Sequence, residues 1–185
     1  MTNQKGKLVV ISAPSGTGKG TVISELLKLR PDIAFSVSAT TRKPRENEVD
    51  GVEYRFLSHE QFQKMIQSNE FLEYAQYVGE FYGTPVQPVL DNINKGTHTI
   101  VDIEVQGAKQ VMAKDIDTIT IFIEAPDMDE LENRLRGRGT DTEEKILKRL
   151  ERARQELSEK IHYDYVVVND NATRAAKEIL SILEK

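Results

Sequence analysis

The sequence predicts an α/β fold built on a five-stranded parallel core sheet flanked by helices. Short β-rich apolar runs alternate with helix-period segments, a glycine-rich turn joins the first run to the first helix, and no internal repeat or low-complexity tract interrupts the pattern. The expected core strands are residues 8–12, 35–38, 99–103, 118–123 and 165–168. Helices are expected over residues 19–29, 85–94, 106–113, 128–136, 142–160 and 171–184.

The first junction is the octapeptide Ala13-Pro14-Ser15-Gly16-Thr17-Gly18-Lys19-Gly20. It follows the apolar run Leu8 to Ile11 and opens a helix, the context that a phosphate-binding loop requires. Its glycines let the chain fold back with N–H groups turned inward, and Lys19 enters the helix at its positive dipole end. An ordinary glycine-rich strand-to-helix turn is the alternative, but Gly-x-Gly-Lys after a buried strand is far more restrictive than a glycine count. The strict pattern has Gly at position 13 and Ser or Thr at position 20, where this chain carries Ala13 and Gly20. The second departure removes the hydroxyl that usually touches Mg²⁺ and leaves Thr21 as an imperfect substitute.

Two stretches leave the alternation. Between Thr40 and Tyr82 come the run Val52 to Leu57, a helix started by Ser58 with Gln61 in capping-box position, and Phe71 to Ala75; together they read as a small mixed α+β insertion. Between Arg134 and Arg154, Gly137 and Gly139 interrupt an arginine-rich segment. A second capping box is expected at Thr140 and Glu143, and Ile146, Leu150, Ala153, Leu157 and Ile161 mark the apolar stripe of the helix that follows. Glycine-flanked cationic segments of this kind make good lids.

Composition narrows the function classes. The 185 residues suffice for one domain with a real core, and a formal net charge of −5 argues against a general nucleic-acid or membrane-surface binder. The absence of cysteine excludes disulfides and thiolate metal ligands, and the three histidines, His59, His98 and His162, have no metal-ligand spacing. The polar opening residues have no signal-peptide core and no apolar run reaches membrane-spanning length, so a soluble cytoplasmic protein is expected.

Ser38-Ala39-Thr40-Thr41-Arg42-Lys43-Pro44-Arg45 places two guanidinium groups just beyond a core strand. Ligands of parallel sheets bind at the carboxyl ends of the strands, and arginine forks match phosphate oxygens bidentately; a solvated basic loop is the competing reading. Asp102 ends an apolar strand, where an aspartate orients Mg²⁺ or its water shell, or else caps the following turn. Arg134 and Arg138 share a face if their helix persists that far, and Arg149 sits on the next helix.

With these motifs on the page, the chain resembles the guanylate kinases of the nucleoside monophosphate kinase group, a set of P-loop kinases. The resemblance rests on residues 12–21, Ser-x-x-Thr-Thr-Arg-x-Pro-Arg from Ser38 to Arg45, Gly51-x-x-Tyr54 and Glu70-Phe71-Leu72-Glu73. It continues through Tyr82-Gly83-Thr84, Asp102-Ile103-Glu104-Val105-Gln106-Gly107 and Arg138-Gly139-Thr140, in family order over nearly the whole chain from Lys7 onward. It implies one domain over residues 5–184, with a GMP-binding insertion at 38–84 and a helical lid at 134–154. It further implies transfer of the ATP γ-phosphoryl group to GMP, and to dGMP, with Mg²⁺, in purine nucleotide metabolism.

Position by position, the resemblance makes Ala13 to Thr21, Arg134, Arg138 and Asn169 ATP-binding, and Arg42 and Arg45 clamps on the GMP phosphate assisted by Tyr54 and Tyr82. Ser38, Glu73, Thr84 and Glu104 become the guanine pocket, Lys19, Arg42, Arg138 and Arg149 the catalytic cations, and Asp102 a metal contact that includes one through water. Guanine offers N1–H and N2–H₂ donors to an acceptor-only carboxylate, which agrees with two glutamates there. No general base is needed, because the second pKa of a phosphate monoester is about 6 and the nucleophile is already ionised. Two other readings stay open: a catalytically inactive interaction module of the same fold, and a P-loop kinase of another small phosphorylated acceptor. The retained Lys19 and arginines speak against the first, and Glu73 and Glu104 against the second. The expected partners are the small molecules ATP and GMP, neither nucleic acid nor membrane, with homo-oligomerisation left open.

Overall fold

The computed structural model describes residues 5–137, 139 and 141–185, so Arg138 and Thr140 lie outside the described residues. In chain order the elements are β1 (Leu8–Ser12), α1 (Lys19–Leu29), β2 (Ala34–Phe35), β3 (Ala39–Thr40), β4 (Arg55–Phe56), α2 (His59–Gln67), β5 (Phe71–Tyr77) and β6 (Glu80–Pro85). They continue with α3 (Val86–Asn94), β7 (Thr99–Asp102), α4 (Val105–Met112), β8 (Thr118–Glu124), α5 (Met128–Gly137), α6 (Glu143–Leu157), the 3₁₀ turn Ser158–His162, β9 (Tyr165–Val168) and α7 (Ala172–Leu183).

Five strands form a sheet in the order β2-β7-β1-β8-β9, with β2 parallel to β7 and β8 parallel to β9. All five residues of β1 are buried, which explains why its sequence is a continuous apolar run rather than an alternation. A second, four-stranded sheet runs β4-β3-β6-β5 and is mixed: β3 is parallel to β4, and β6 is antiparallel to both β3 and β5.

Two compact units divide the chain. The first comprises the chain up to Val9 and Ile33–Thr118, and contains the four-stranded sheet. Beneath that sheet Phe62 of α2 stacks on Phe71 with ring centroids 4.3 Å apart and on Phe81 at 5.4 Å, and Ala39 closes the same apolar cluster. Full burial of a phenylalanine side chain is worth roughly 1.5–3 kcal/mol, so this cluster is what fastens α2 to its sheet. The second unit comprises Val10–Asp32 and Ile119–Lys185. There α1 packs on α7, while Leu131 and Leu135 of α5 bury against Ile146, Leu150 and Ala153 of α6.

The observed elements correct three expectations. The strand expected over residues 35–38 is the two-residue β2, and the chain leaves that sheet before Ser38 so that Ala39 can pair in the second one. The helix expected over 142–160 ends at Leu157 and tightens into the 3₁₀ turn, which leaves Ile161 78% exposed outside the apolar stripe. The cap of α6 is Thr142 with no side-chain hydrogen bond, so Glu143 is the first helical residue and cannot close a box from the third position. The expectation that Arg134 and Arg138 share a helix face falls on Arg138, outside the described residues; helix α5 is described from Met128 to Gly137.

The other capping box forms as expected: Gln61 N–H donates to Ser58 Oγ at 3.1 Å and Ser58 N–H donates to Gln61 Oε1 at 2.8 Å. Ser58→Ala removes the acceptor of one of α2's orphan donors. We expect a loss of about 1 kcal/mol in unfolding free energy by urea titration, with the m-value unchanged.

Candidate active site

In the second unit, β1 runs into the glycine-rich loop and α1 begins at Lys19. The loop closes on itself: Thr17 Oγ1 donates to the Pro14 carbonyl at 2.9 Å and Thr21 N–H donates to the Gly18 carbonyl at 3.0 Å. Gly18 caps the helix at φ 85°, in the left-handed region, and a Cβ there would stand 2.7 Å from Asn169 Nδ2. Only glycine meets both demands.

Asn169 and Arg134 meet the loop from behind. Asn169, buried after β9, donates from Nδ2 to the Thr17 carbonyl at 2.7 Å, and Arg134 NH1 donates to the same carbonyl at 3.1 Å. Arg134 is itself oriented by the Asn169 carbonyl at 3.0 Å and by Glu130 at 2.7 Å. The resemblance makes these two residues ATP contacts; the structure puts their polar ends on the phosphate loop. Arg149 of α6 lies 2.9 Å from Asp141.

In the first unit a cavity of about 290 Å³ gathers Ser38, Tyr54, Glu73, Tyr82, Asp102 and Glu104, six residues that the sequence singled out, together with Tyr77, Gln106 and Gly107. Glu73 on β5 is 7% exposed, and Thr84 on the paired strand β6 donates its hydroxyl to Glu73 Oε1 at 2.7 Å. Burial pushes the Glu73 carboxyl above the ordinary carboxylate value. The Thr84 hydrogen bonds pull it down and the nearby Glu104 charge raises it further. Gly107 lies where a Cβ would fall 2.5 Å from Glu73 Oε2, so a side chain on that turn of α4 would displace the carboxylate.

Arg42 lies over the Tyr54 ring at 5.1 Å, and Tyr54 and Tyr82 meet edge to face at 6.2 Å. Burial raises the Tyr54 phenol, against the opposing pull of Arg42, so at neutral pH the hydroxyl stays a donor. Arg45 is exposed, and its backbone N–H donates to Glu48 at 2.8 Å. The sequence reading quoted Gly107 in a motif without giving it a role, and missed Glu48 and Gln110. Glu48 gives no distinguishing signal, because Glu46 and Asp50 flank it in the same loop. Gln110 gives none, because its partner is the backbone of Tyr74, which donates to Oε1 at 3.2 Å and accepts from Nε2 at 2.8 Å.

Arranged in this way, the first-unit cavity offers buried and exposed carboxylate acceptors together with hydroxyls, and a guanidinium stacked on one of its tyrosines. Such a set suits a flat heterocycle with N–H donors that carries an anionic group. The loop of the second unit offers backbone N–H groups and a helix N-terminus to a second anion. Among the described residues no group of three or more His, Asp or Glu is placed to hold a metal ion. No helix of the described residues is long and apolar enough to cross a membrane.

Known proteins match nearly the whole chain. The family model described as guanylate kinase matches residues 5–185. The chain is 51% identical to a guanylate kinase of Trichodesmium erythraeum over 97% of both chains. It is 48% identical to one of Streptococcus pyogenes, covering 98% of this chain and 87% of that one. A crystal structure of guanylate kinase from Anaplasma phagocytophilum is similar with a TM-score of 0.76 at 35% identity, over 98% of this chain and 86% of that one.

The raised Glu73 carboxyl carries a stability consequence whose sign is fixed. The native state holds that proton more tightly than the unfolded chain, so ionisation destabilises the fold as pH rises past the ordinary glutamate pKa of about 4.3. Glu73→Gln should match the parent in urea midpoint near pH 4 and exceed it at pH 7. An equal or lower midpoint at pH 7 would contradict the assigned desolvation.

Proposed function

The chain belongs to the guanylate kinase family, and we propose that its two sites act as an acceptor site for GMP in the first unit and a donor site for ATP in the second. The reaction is phosphorylation of GMP by ATP. The observation that carries the assignment of sites is Glu73, a buried carboxylate held by Thr84 and facing a cavity that also holds Tyr54 and Tyr82.

In this reading guanine donates N1–H and N2–H₂ to Glu73 and Glu104, with Ser38 and Thr84 completing the pocket, while Arg42, Arg45, Tyr54 and Tyr82 take the phosphate. Adenine has no N2 amine and leaves a desolvated carboxylate unpaired, a penalty of about 1–3 kcal/mol or more. An oxygen of the GMP phosphate attacks the γ-phosphorus, the new O–P bond forms as the bond to the β–γ bridging oxygen breaks, and ADP departs with that electron pair. Near neutral pH the attacking oxygen is already ionised, so no residue has to remove a proton.

Lys19 and the inward N–H groups of residues 13–21 hold the ATP phosphates. Arg42, Arg138 and Arg149 stabilise the charge spread over the transferring group. We assign Arg134 and Asn169 to the ATP site through the loop that they brace. Mg²⁺ suits the site: a cation that keeps several waters needs few protein ligands, position 20 is glycine, and Asp102 ends β7 with a carboxylate that would hold a water of its shell. Bound there, the ion would screen the phosphate charges.

Residues 38–84 then serve as the acceptor-binding insertion and 134–154 as the lid, within one domain over 5–184. We further propose dGMP as an alternative acceptor and a cytoplasmic place in purine nucleotide metabolism. With a net charge of −5, nucleic acid is not expected as a partner.

A coupled ADP-release assay with ATP, Mg²⁺ and a panel of GMP, AMP, dTMP and UMP tests this reading: turnover should require GMP among these acceptors. Lys19→Ala should lower kcat by at least about a hundredfold, and Glu73→Gln should cut the preference for GMP over AMP by about 1–3 kcal/mol. Equal turnover of GMP and AMP by the parent chain would sink the acceptor assignment.

A further inference from the structure

Glu48 has no assigned role, yet it organises the arginine loop. Arg42 donates from NH1 to Glu48 Oε2 and from NH2 to Oε1, both at 2.6 Å, and the Arg45 backbone N–H donates to the same Oε2 at 2.8 Å. Glu48 N–H closes the turn on the Arg45 carbonyl at 3.1 Å. Both side chains are largely covered, 16% exposed for Arg42 and 14% for Glu48, with the guanidinium between this carboxylate and the rings of Tyr54 and Phe56. Arg42 holds the Glu48 carboxyl down to about 2, so it stays ionised throughout the neutral range.

Which edge of the guanidinium is used matters. The planar group presents five N–H donors on two bidentate edges, NH1 with NH2 and Nε with NH2. Glu48 takes the first edge, and the remaining NH1 donor goes to the Lys43 carbonyl at 2.9 Å. Among the described residues no acceptor takes Nε–H or the second NH2 donor. Those two donors lie side by side, and their spacing matches two oxygens of a phosphate.

We propose that Glu48 is a positioning residue for GMP binding: it fixes the plane of Arg42 by one edge so that the other edge meets the GMP phosphate, and it sets the turn that carries Arg45. This rests on the reading of Arg42 as the acceptor-phosphate clamp. A carboxylate that instead competed with the phosphate for Arg42 would weaken GMP binding, and its removal would tighten it. The two roles therefore predict opposite signs.

The test measures KM for GMP, KM for ATP and kcat in Glu48→Gln, Glu48→Ala, Arg42→Ala and the double variant Arg42→Ala/Glu48→Ala. Glu48→Ala should raise KM for GMP about tenfold or more while KM for ATP stays within about twofold. Glu48→Gln should raise it less, because one amide oxygen still accepts from the guanidinium, and this variant keeps the test open if the alanine variant does not fold. The double variant should lose less than the sum of the two single variants, since Glu48 acts chiefly through Arg42. A lowered KM for GMP in either Glu48 variant, or additive effects in the double variant, would overturn the inference. An unchanged KM for GMP in Arg42→Ala would instead defeat the clamp reading on which it stands.

Discussion

A guanidinium that is to meet a phosphate must point the right way before the phosphate arrives, and here internal acceptors set that direction. Glu48 holds Arg42, Glu130 and two backbone carbonyls hold Arg134, and Asp141 holds Arg149. A free arginine side chain carries about 2 kcal/mol of rotamer entropy, which binding would otherwise have to offset. Fixing the side chain during folding removes that term from the binding step. It also explains how a chain of net charge −5 can carry these cations, since Arg42, Arg134 and Arg149 each have an acidic partner in their own unit.

The acceptor cavity solves the opposite problem, that of keeping a carboxylate desolvated. Glu73 has one hydroxyl partner from Thr84 and a helix close enough to need glycine at position 107. Its strand β5 is an edge of the second sheet, and Gln110 of α4 occupies that edge by bonding both backbone groups of Tyr74, one residue along. A buried acceptor destabilises the fold when it is empty and rewards a ligand with matching donors. Specificity and lost stability are thus two effects of the same desolvation.

How legible this was in the sequence depended on how local each cause is. The bounds of β1, α1 and β9 follow from apolar runs and a glycine turn, and structure and expectation agree there to the residue. Strand β2 was overestimated because pairing with β7, not the propensity of the run 35–38, decides where it stops. The end of α6 was missed because the apolar stripe continues to Ile161 after the backbone has tightened. Candidate site residues in linear motifs, such as Lys19, Arg42 and Glu73, stand out in the sequence by type and spacing. The roles of Glu48 beside Arg42, of Gly107 beside Glu73 and of Gln110 on the strand edge at Tyr74 do not, because each is defined by a contact that only the folded chain creates.

On the proposed assignment, paired arginines also change the kind of recognition expected of the acceptor site. With Glu48 ionised at any pH near neutrality, the Arg42–Glu48 pair has no net charge, so it contributes little field at a distance. What it offers a phosphate is an oriented edge with two donors, over the ring of Tyr54, whose hydroxyl burial keeps protonated. Those contacts act only at hydrogen-bond range, and they favour a ligand whose anionic group arrives at a fixed distance from its base. If this is the acceptor site as proposed, a triphosphate and a monophosphate differ to it by geometry more than by charge, and an enzyme with two nucleotide sites would tell its donor from its acceptor in that way.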